Sequence, residues 1–252
     1  MKTKVTIIGF GTMGRAIAKA LSGNDRTVKV FSVEKNIKNM NITGKNIRKS
    51  NFLILAVKPQ DAKEAIKQVK KYFDKKTILI SIMAGVSIKK LIYLSGRKKI
   101  IRMMPNLGLS VGQGIAVWKG MGLSKSEARK AKNFINKITD NFEVQDEDVI
   151  NKATAVSGSG PAYFFLLADC LIKACGRLGF TKNESRRLVE KTFSASALLA
   201  RTGDYSTLVK KVASKGGTTE AALKVFRKRN FDKIVSEAVR AAYKRAKELG
   251  HA

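Results

Sequence analysis

Val5-Thr6-Ile7-Ile8-Gly9-Phe10-Gly11-Thr12-Met13-Gly14 is the stretch on which the fold turns. Its first half is a short run rich in β-branched apolar residues, which reads as a buried strand. The run stops at Gly9, and beyond Gly14 small and apolar residues return at Ala16, Ile17, Ala20 and Leu21 with the period of a helix. A Gly-x-Gly-x-x-Gly string alone often marks nothing more than a turn. Between a strand and a helix its glycines take separate tasks: the first permits the tight turn, the second lets the backbone approach a pyrophosphate, and the third packs helix on strand. The free amides and dipole of the helix start then favour an anion. Gly9, Phe10, Gly11, Thr12, Met13 and Gly14 are therefore candidate cofactor-binding residues for a dinucleotide.

Outward from this stretch the same alternation continues. Apolar strands are expected at residues 27–31, 52–57, 77–82, 100–104 and 114–118. Lys58-Pro59 ends the strand at 52–57, with proline in the first turn of a helix that carries Ala62, Ala65, Ile66 and Val69 on one face. Ser124-Lys-Ser-Glu127 is a capping box. Strands alternating with helices predict a parallel sheet covered on both faces, so residues 1–150 read as an α/β dinucleotide-binding domain with a Rossmann-like doubly wound sheet. Beyond residue 150 the pattern is helical, over 161–178, 181–201, 218–229 and 231–249, with a second capping box at Thr181-Lys-Asn-Glu184. Residues 162–171 are apolar nearly all round, which marks burial. About a hundred helical residues cannot bury that surface alone, so residues 151–252 are expected to be an all-helical dimerisation and substrate-binding domain packed against a second copy.

Fifty Lys and Arg against 19 Asp and Glu give a formal charge of +31. The basic residues are spread over nearly every segment and lack interleaved aromatics, so a nucleic-acid partner is not expected. The Lys-, Ile- and Asn-rich stretch 36–51 reads as compositional drift. No run approaches the ~20 uninterrupted apolar residues of a membrane helix. The apolar start breaks at Gly9 before any cleavage site, which argues against a signal peptide. Cys170 and Cys175 lie inside one helical segment at a spacing that suits neither a disulfide nor a metal site. A cytoplasmic protein without membrane or metal is expected.

Two further stretches bear on ligands. After the second strand comes Ser32-Val33-Glu34-Lys35: Ser32 and Lys35, with Arg15 nearby, would meet a 2'-phosphate and favour NADPH, whereas Glu34 keeps NADH as the alternative. Val212-Ala-Ser-Lys-Gly-Gly-Thr-Thr-Glu-Ala-Ala-Leu223 runs a serine, two glycines and two threonines into a helix. The amides of Gly216, Gly217 and Thr218 with the hydroxyls of Ser214 and Thr218 would hold a small carboxylate without a side-chain cation. The competing reading is an ordinary helix cap, although two glycines and three hydroxyls exceed what a cap needs.

Gly9-Phe-Gly-Thr-Met-Gly14, Ala56-Val-Lys-Pro-Gln60, Ile80-Ser-Ile-Met-Ala-Gly-Val86, Arg102-Met-Met-Pro-Asn106, Thr154-Ala-Val-Ser-Gly-Ser-Gly-Pro-Ala-Tyr163 and Ser214-Lys-Gly-Gly-Thr-Thr219 occur in this order and spacing. Together they resemble the pyrroline-5-carboxylate reductase family over about residues 4–249. The resemblance implies a dinucleotide-binding domain, a helical dimerisation domain, NADPH or NADH as hydride donor, and dimers that often assemble into decamers. It further implies cofactor contacts from Ala56, Val57, Lys58, Pro59, Ala84 and Gly85, and places Thr219 by the ring nitrogen of the substrate. Two positions depart from the family pattern: Leu107-Gly108 stands where Thr-Pro is usual, and Lys215 stands where proline usually precedes the glycine pair. The latter leaves the loop less preorganised.

The implied reaction is hydride transfer to C5 of the cyclic imine of pyrroline-5-carboxylate, giving proline. A protonated imine is already electrophilic, so positioning dominates and no histidine is needed; the chain has only His251. Thr219 would orient the ring, and water or substrate would supply the proton. Two rivals are another imine reductase or β-hydroxyacid dehydrogenase, for which Lys173 is a candidate catalytic lysine, and a basic nucleic-acid-binding module.

Overall fold

The computed structural model describes residues 3–24, 28–33 and 40–251. It divides into two compact units, Met1–Ser159 together with Ala241–Ala252, and Gly160–Arg240.

The first unit begins with β1 (Thr3–Ile8), α1 (Thr12–Asn24) and β2 (Val28–Val33). There follow α2 (Met40–Arg48), β3 (Phe52–Leu55), α3 (Ala62–Val69), β4 (Ile78–Ser81), α4 (Ile88–Ser95) and β5 (Ile100–Pro105). β6 (Ile115–Met121), α5 (Lys125–Asn136), β7 (Asp140–Glu143) and α6 (Asp148–Ala153) complete it. The strands form one seven-stranded sheet in the order β2-β1-β3-β4-β5-β6-β7.

Apolar strands of this kind are buried on both faces, and the period-2 alternation of their side chains sorts them into two cores. Ile7, Ile54, Ile80 and Ile101 face one layer with Ala16, Ile17 and Leu21 of α1 and Ala131, Phe134 and Ile135 of α5. Ile8, Leu53, Leu55, Leu79 and Ile100 face the other with Ile47 of α2, Ile66 and Val69 of α3 and Leu91 of α4.

The alternation predicts a parallel sheet, and the structure departs from this at one pair of strands. β6 runs antiparallel to β5. Residues 106–114 between them hold only a 3-10 turn (Leu107–Val111), too short for the dozen or more residues of a parallel crossover. β7 then pairs parallel to β6. Boundaries also shift: β2 runs on to Val33, so Ser32 lies within the strand rather than after it, and β3 ends at Leu55 rather than at residue 57.

α2 was not legible as a helix. Gly44 in its middle lowers helix propensity, and packing compensates: Ile47 is buried, and a Cβ on Gly44 would lie 2.5 Å from Cε1 of Tyr72. Both capping boxes form, Ser124 with Glu127 at α5 and Thr181 with Glu184 in the second unit.

The second unit contains α7 (Gly160–Arg177), α8 (Lys182–Leu199), α9 (Tyr205–Val212), α10 (Thr218–Lys228) and the first turns of α11 (Phe231–His251). Phe164 and Phe193 pack α7 on α8 edge to face, with centroids 6.0 Å apart. Yet the apolar stretch expected to be buried is open in one copy: Phe164, Phe165 and Leu166 are 58%, 59% and 64% exposed, and Leu198 and Leu199 are equally bare.

Candidate active site

In the first unit the three glycines occupy the environments their tasks require. Gly9 is buried with φ 94°, and a Cβ there would lie 2.6 Å from the carbonyl oxygen of Ala56. A Cβ on Gly14 would collide with the carbonyl oxygen of Gly9. Gly11 is exposed with no atom within 4 Å of the Cβ position. The first and third glycines thus close the turn, and the second leaves its backbone open to a ligand.

The Gly11 carbonyl accepts the first bond of α1, from the amide of Arg15 at 2.9 Å, which leaves the first-turn amides of Thr12, Met13 and Gly14 without an intrahelical acceptor. Arg15 stays near the turn: its Nε donates to the Phe10 carbonyl at 2.8 Å and its guanidinium lies 5.6 Å from the centre of the Phe10 ring. Gly11, Thr12, Arg15, Ala16, Lys19 and Ser110 line an open groove of about 550 Å³. Open amides, a helix dipole and two cations suit a pyrophosphate, so these residues fit a dinucleotide.

The other cofactor residues divide. Ala56 follows β3 and its amide donates to the carbonyl of Ile8 at 2.7 Å, which sets the loop carrying Val57 against the glycine turn. Lys58 is exposed in extended conformation before the turn Pro59–Asp61. Ala84 and Gly85 lie in the loop between β4 and α4, with Gly85 buried at φ 76°. Ser32 is opposite Ile7 in the β1–β2 register. Lys35 and Glu34 lie outside the described residues.

Sequence reasoning passed over the group that fastens these loops together. Arg102, in the Met-Pro-Asn strand, is only 2% exposed; its Nη1 donates to Oε1 of Glu147 at 2.8 Å and its Nη2 to Oδ1 of Asn151 at 2.6 Å. The same Glu147 oxygen accepts the amide of Ile88 at 2.9 Å, at the start of α4. A buried charge without partners is prohibitively costly, so Arg102 in an otherwise apolar strand signalled a carboxylate, though not which one. Asn106 is likewise built in: its Oδ1 accepts the amide of Ile115 at 3.1 Å and fixes the β5–β6 turn. After α6 the helix widens into a π-turn over Thr154–Gly158, where the amide of Ser159 donates to the Thr154 carbonyl at 2.9 Å.

In the second unit Gly216 takes φ 73° and Gly217 is the N-cap of α10. The expected set of free amides is reduced. The Gly216 amide donates to Oε2 of Glu220 at 2.7 Å, and the Gly217 amide to the carbonyl of Ser214 at 3.0 Å. The loop folds its own carboxylate onto one amide because Glu220 lies in the first turn of α10, where an acidic side chain is favoured by the helix dipole. Thr218 and Thr219 open the helix. Lys173 forms an ion pair with Asp169 at 2.6 Å on an exposed face, and that pairing raises its pKa, the opposite of what a catalytic base requires.

An α/β sheet with this glycine turn, joined to an all-helical unit, defines a two-domain nucleotide-dependent oxidoreductase. The family model described as pyrroline-5-carboxylate reductase dimerisation matches residues 147–249, and the one described as NADP oxidoreductase coenzyme F420-dependent matches residues 4–85. Pyrroline-5-carboxylate reductase of Aquifex aeolicus is 31% identical over 261 residues, covering 98% of this chain and 97% of the relative. The Haemophilus influenzae enzyme of the same name is 33% identical, over 80% of this chain and 76% of its own. Among solved structures, Plasmodium falciparum pyrroline carboxylate reductase with NADP bound superposes with a TM-score of 0.87 at 28% identity, covering 98% of each chain. The chain belongs to the pyrroline-5-carboxylate reductase family, NAD(P)H-dependent oxidoreductases of proline biosynthesis. By length and composition the helical run Asp148–Arg177 meets the requirements of a membrane span, against expectation from the sequence; in this family the same run opens the dimerisation region.

Proposed function

We propose that the chain reduces 1-pyrroline-5-carboxylate to L-proline with NADPH in preference to NADH. The observation that carries the reading is the glycine turn, with Gly9 and Gly14 closed by packing and Gly11 left open, in a chain that also holds the Ser214–Thr219 loop. Bound NADPH supplies the hydride. Gly11, Thr12 and Met13 hold the pyrophosphate through backbone amides, with Arg15 adding charge. Ser32 and Lys35 take the 2'-phosphate, and Ala56 to Pro59 with Ala84 and Gly85 border the nucleoside and nicotinamide.

The Thr218 amide and the Ser214 and Thr218 hydroxyls bind the substrate carboxylate, joined by the Gly216 amide once Glu220 gives way. The Gly217 amide stays on the Ser214 carbonyl, and Gly217 serves by leaving room beside it. The Thr219 hydroxyl hydrogen-bonds the ring nitrogen and orients C5, while solvent or the protonated imine supplies the proton. Holding an already electrophilic imine in line accounts for catalysis without a histidine. The chain works as a cytoplasmic homodimer, with decamers built from dimers and without a membrane or nucleic-acid partner. The division into a cofactor domain to about residue 150 and a dimerisation and substrate domain beyond it follows from this assignment.

Oxidation of NADPH and NADH on addition of pyrroline-5-carboxylate tests the reading. Substrate-dependent loss of absorbance is expected, faster with NADPH; none with either nucleotide refutes it. Thr219→Ala is expected to lower kcat/KM about ten- to a hundredfold while leaving NADPH affinity and Tm near those of the parent.

A further inference from the structure

The C-terminal turns of α11, which belong to the first unit, close on the loop after β4 more tightly than any side chain would allow. A Cβ on Gly85 would lie 2.7 Å from the Gly250 nitrogen, 2.7 Å from Cβ of Leu249 and 2.8 Å from the Ala246 carbonyl. A Cβ on Gly250 would in turn collide with the Gly85 carbonyl. Ala246 is buried in the same contact.

Tyr243 lies on the same face of α11, two turns before Gly250. Its hydroxyl donates to Oδ2 of Asp148 at 2.6 Å. Asp148 also accepts from Asn151 at 3.2 Å and pairs with Lys152 at 3.2 Å. Adjacent Glu147 accepts the amide of Ile88, three residues beyond Gly85. The loop 84–87 is thus held at Gly85 by α11 and at Ile88 by Glu147, while Tyr243 ties α11 to the start of α6. The reductase reading gives neither Tyr243 nor Gly250 a role.

We propose that the end of α11 is a positioning element of the cofactor site, in which Tyr243, through Asp148, and Gly250, through Gly85, hold loop 84–86 in the shape that receives the nicotinamide cofactor. The inference rests on the reading of Ala84 and Gly85 as cofactor residues. Tyr243 and Gly250 act through that loop and touch no substrate. A purely structural clasp would lower stability and affect both ligands alike, whereas a positioning role falls on the cofactor.

The test uses the full-length chain and its Tyr243→Phe, Asp148→Asn, Gly250→Ala and doubly substituted Tyr243→Phe/Asp148→Asn variants, with NADPH affinity by fluorescence titration, steady-state kinetics and Tm. Tyr243→Phe removes one oxygen and keeps the ring. It is expected to weaken NADPH about three- to tenfold with the KM for pyrroline-5-carboxylate within about twofold of the parent. Because Tyr243 acts through Asp148, the double variant should lose less NADPH affinity than the product of the two single losses, even though Asp148→Asn also disturbs Asn151 and Lys152. Folded Tyr243→Phe with parental NADPH affinity, or with equal losses for both ligands, overturns the proposal, and this variant decides the matter even if Gly250→Ala does not fold. Gly11→Val separates the two readings: if it abolishes NADPH binding while Tyr243→Phe does not alter it, only the positioning role falls. A parent chain that binds no NADPH removes both.

Discussion

Three glycines within six residues differ in what a side chain would meet, and that difference separates folding from binding. Gly14→Ala would push a methyl into the Gly9 carbonyl, so it is expected to lower Tm and leave little folded protein. Gly11→Val meets open space and should fold normally, yet its side chain would block approach to the α1 amides and cut NADPH affinity by at least about tenfold. Circular dichroism melts with fluorescence titration on the two variants check this; loss of both folding and binding in each would mean that Gly11 is merely structural. Glu220 yields a second prediction. Its carboxylate occupies the Gly216 amide that a substrate carboxylate would need. Glu220→Gln should lower the KM for pyrroline-5-carboxylate by about two- to fivefold with NADPH affinity unchanged, since a neutral amide competes less well for the donor. An increased KM would show that Glu220 supports the loop.

At the scale of single elements, one carboxylate both caps α5 and ties it to the segment before β5. Glu127 accepts from the Ser124 amide at 3.0 Å and pairs with Lys99 just before β5. The Lys99 hydrogen bond first, and the Ser124 amide next, lower its pKa from the ordinary 4.5 to about 2. Because the folded value is depressed, the stabilisation is fully present above about pH 4.5 and is lost as pH falls through about 2. Glu127→Gln should therefore lower Tm at neutral pH by an amount corresponding to about 1 kcal/mol of cap stability, and its difference from the parent should shrink on acidification across that window. A difference independent of pH would exclude the ionised carboxylate as the cause. α2 makes the opposite point: its helix rests on Ile47 and on the Tyr72 ring against Gly44, not on propensity.

For the whole molecule, the second unit leaves exposed the apolar side chains that a stable fold hides. Phe164, Phe165, Leu166, Leu198 and Leu199 share it with few buried partners. Their burial at about 25 cal/mol per Å² favours association strongly, the family match to a dimerisation region supports oligomerisation, and the proposed partner is a second copy. Light scattering at micromolar concentration should give at least twice the mass of 27.7 kDa, and Leu166→Glu or Phe165→Glu should shift it toward monomer. A parent monomer under those conditions would contradict the assignment.

The alternation of strands and helices, the glycine turn and both capping boxes were legible in the residues because each rests on local physics: period, turn geometry and helix-end chemistry; α2, α4, β7, α6 and α9, each of nine residues or fewer, were not. The direction of β6 was legible in principle, since its connection is too short for a crossover. What the chain alone did not reveal depends on partners distant in sequence. Arg102 finds Glu147 and Asn151 across some 45 to 49 residues, Tyr243 finds Asp148 across 95, and Gly85 meets Gly250. The use of the Gly216 amide by Glu220 also escaped, because a side chain four residues along returns to the loop only once α10 has formed. Periodicity decided which surfaces are apolar, and tertiary packing decided which groups those surfaces bring within hydrogen-bonding distance.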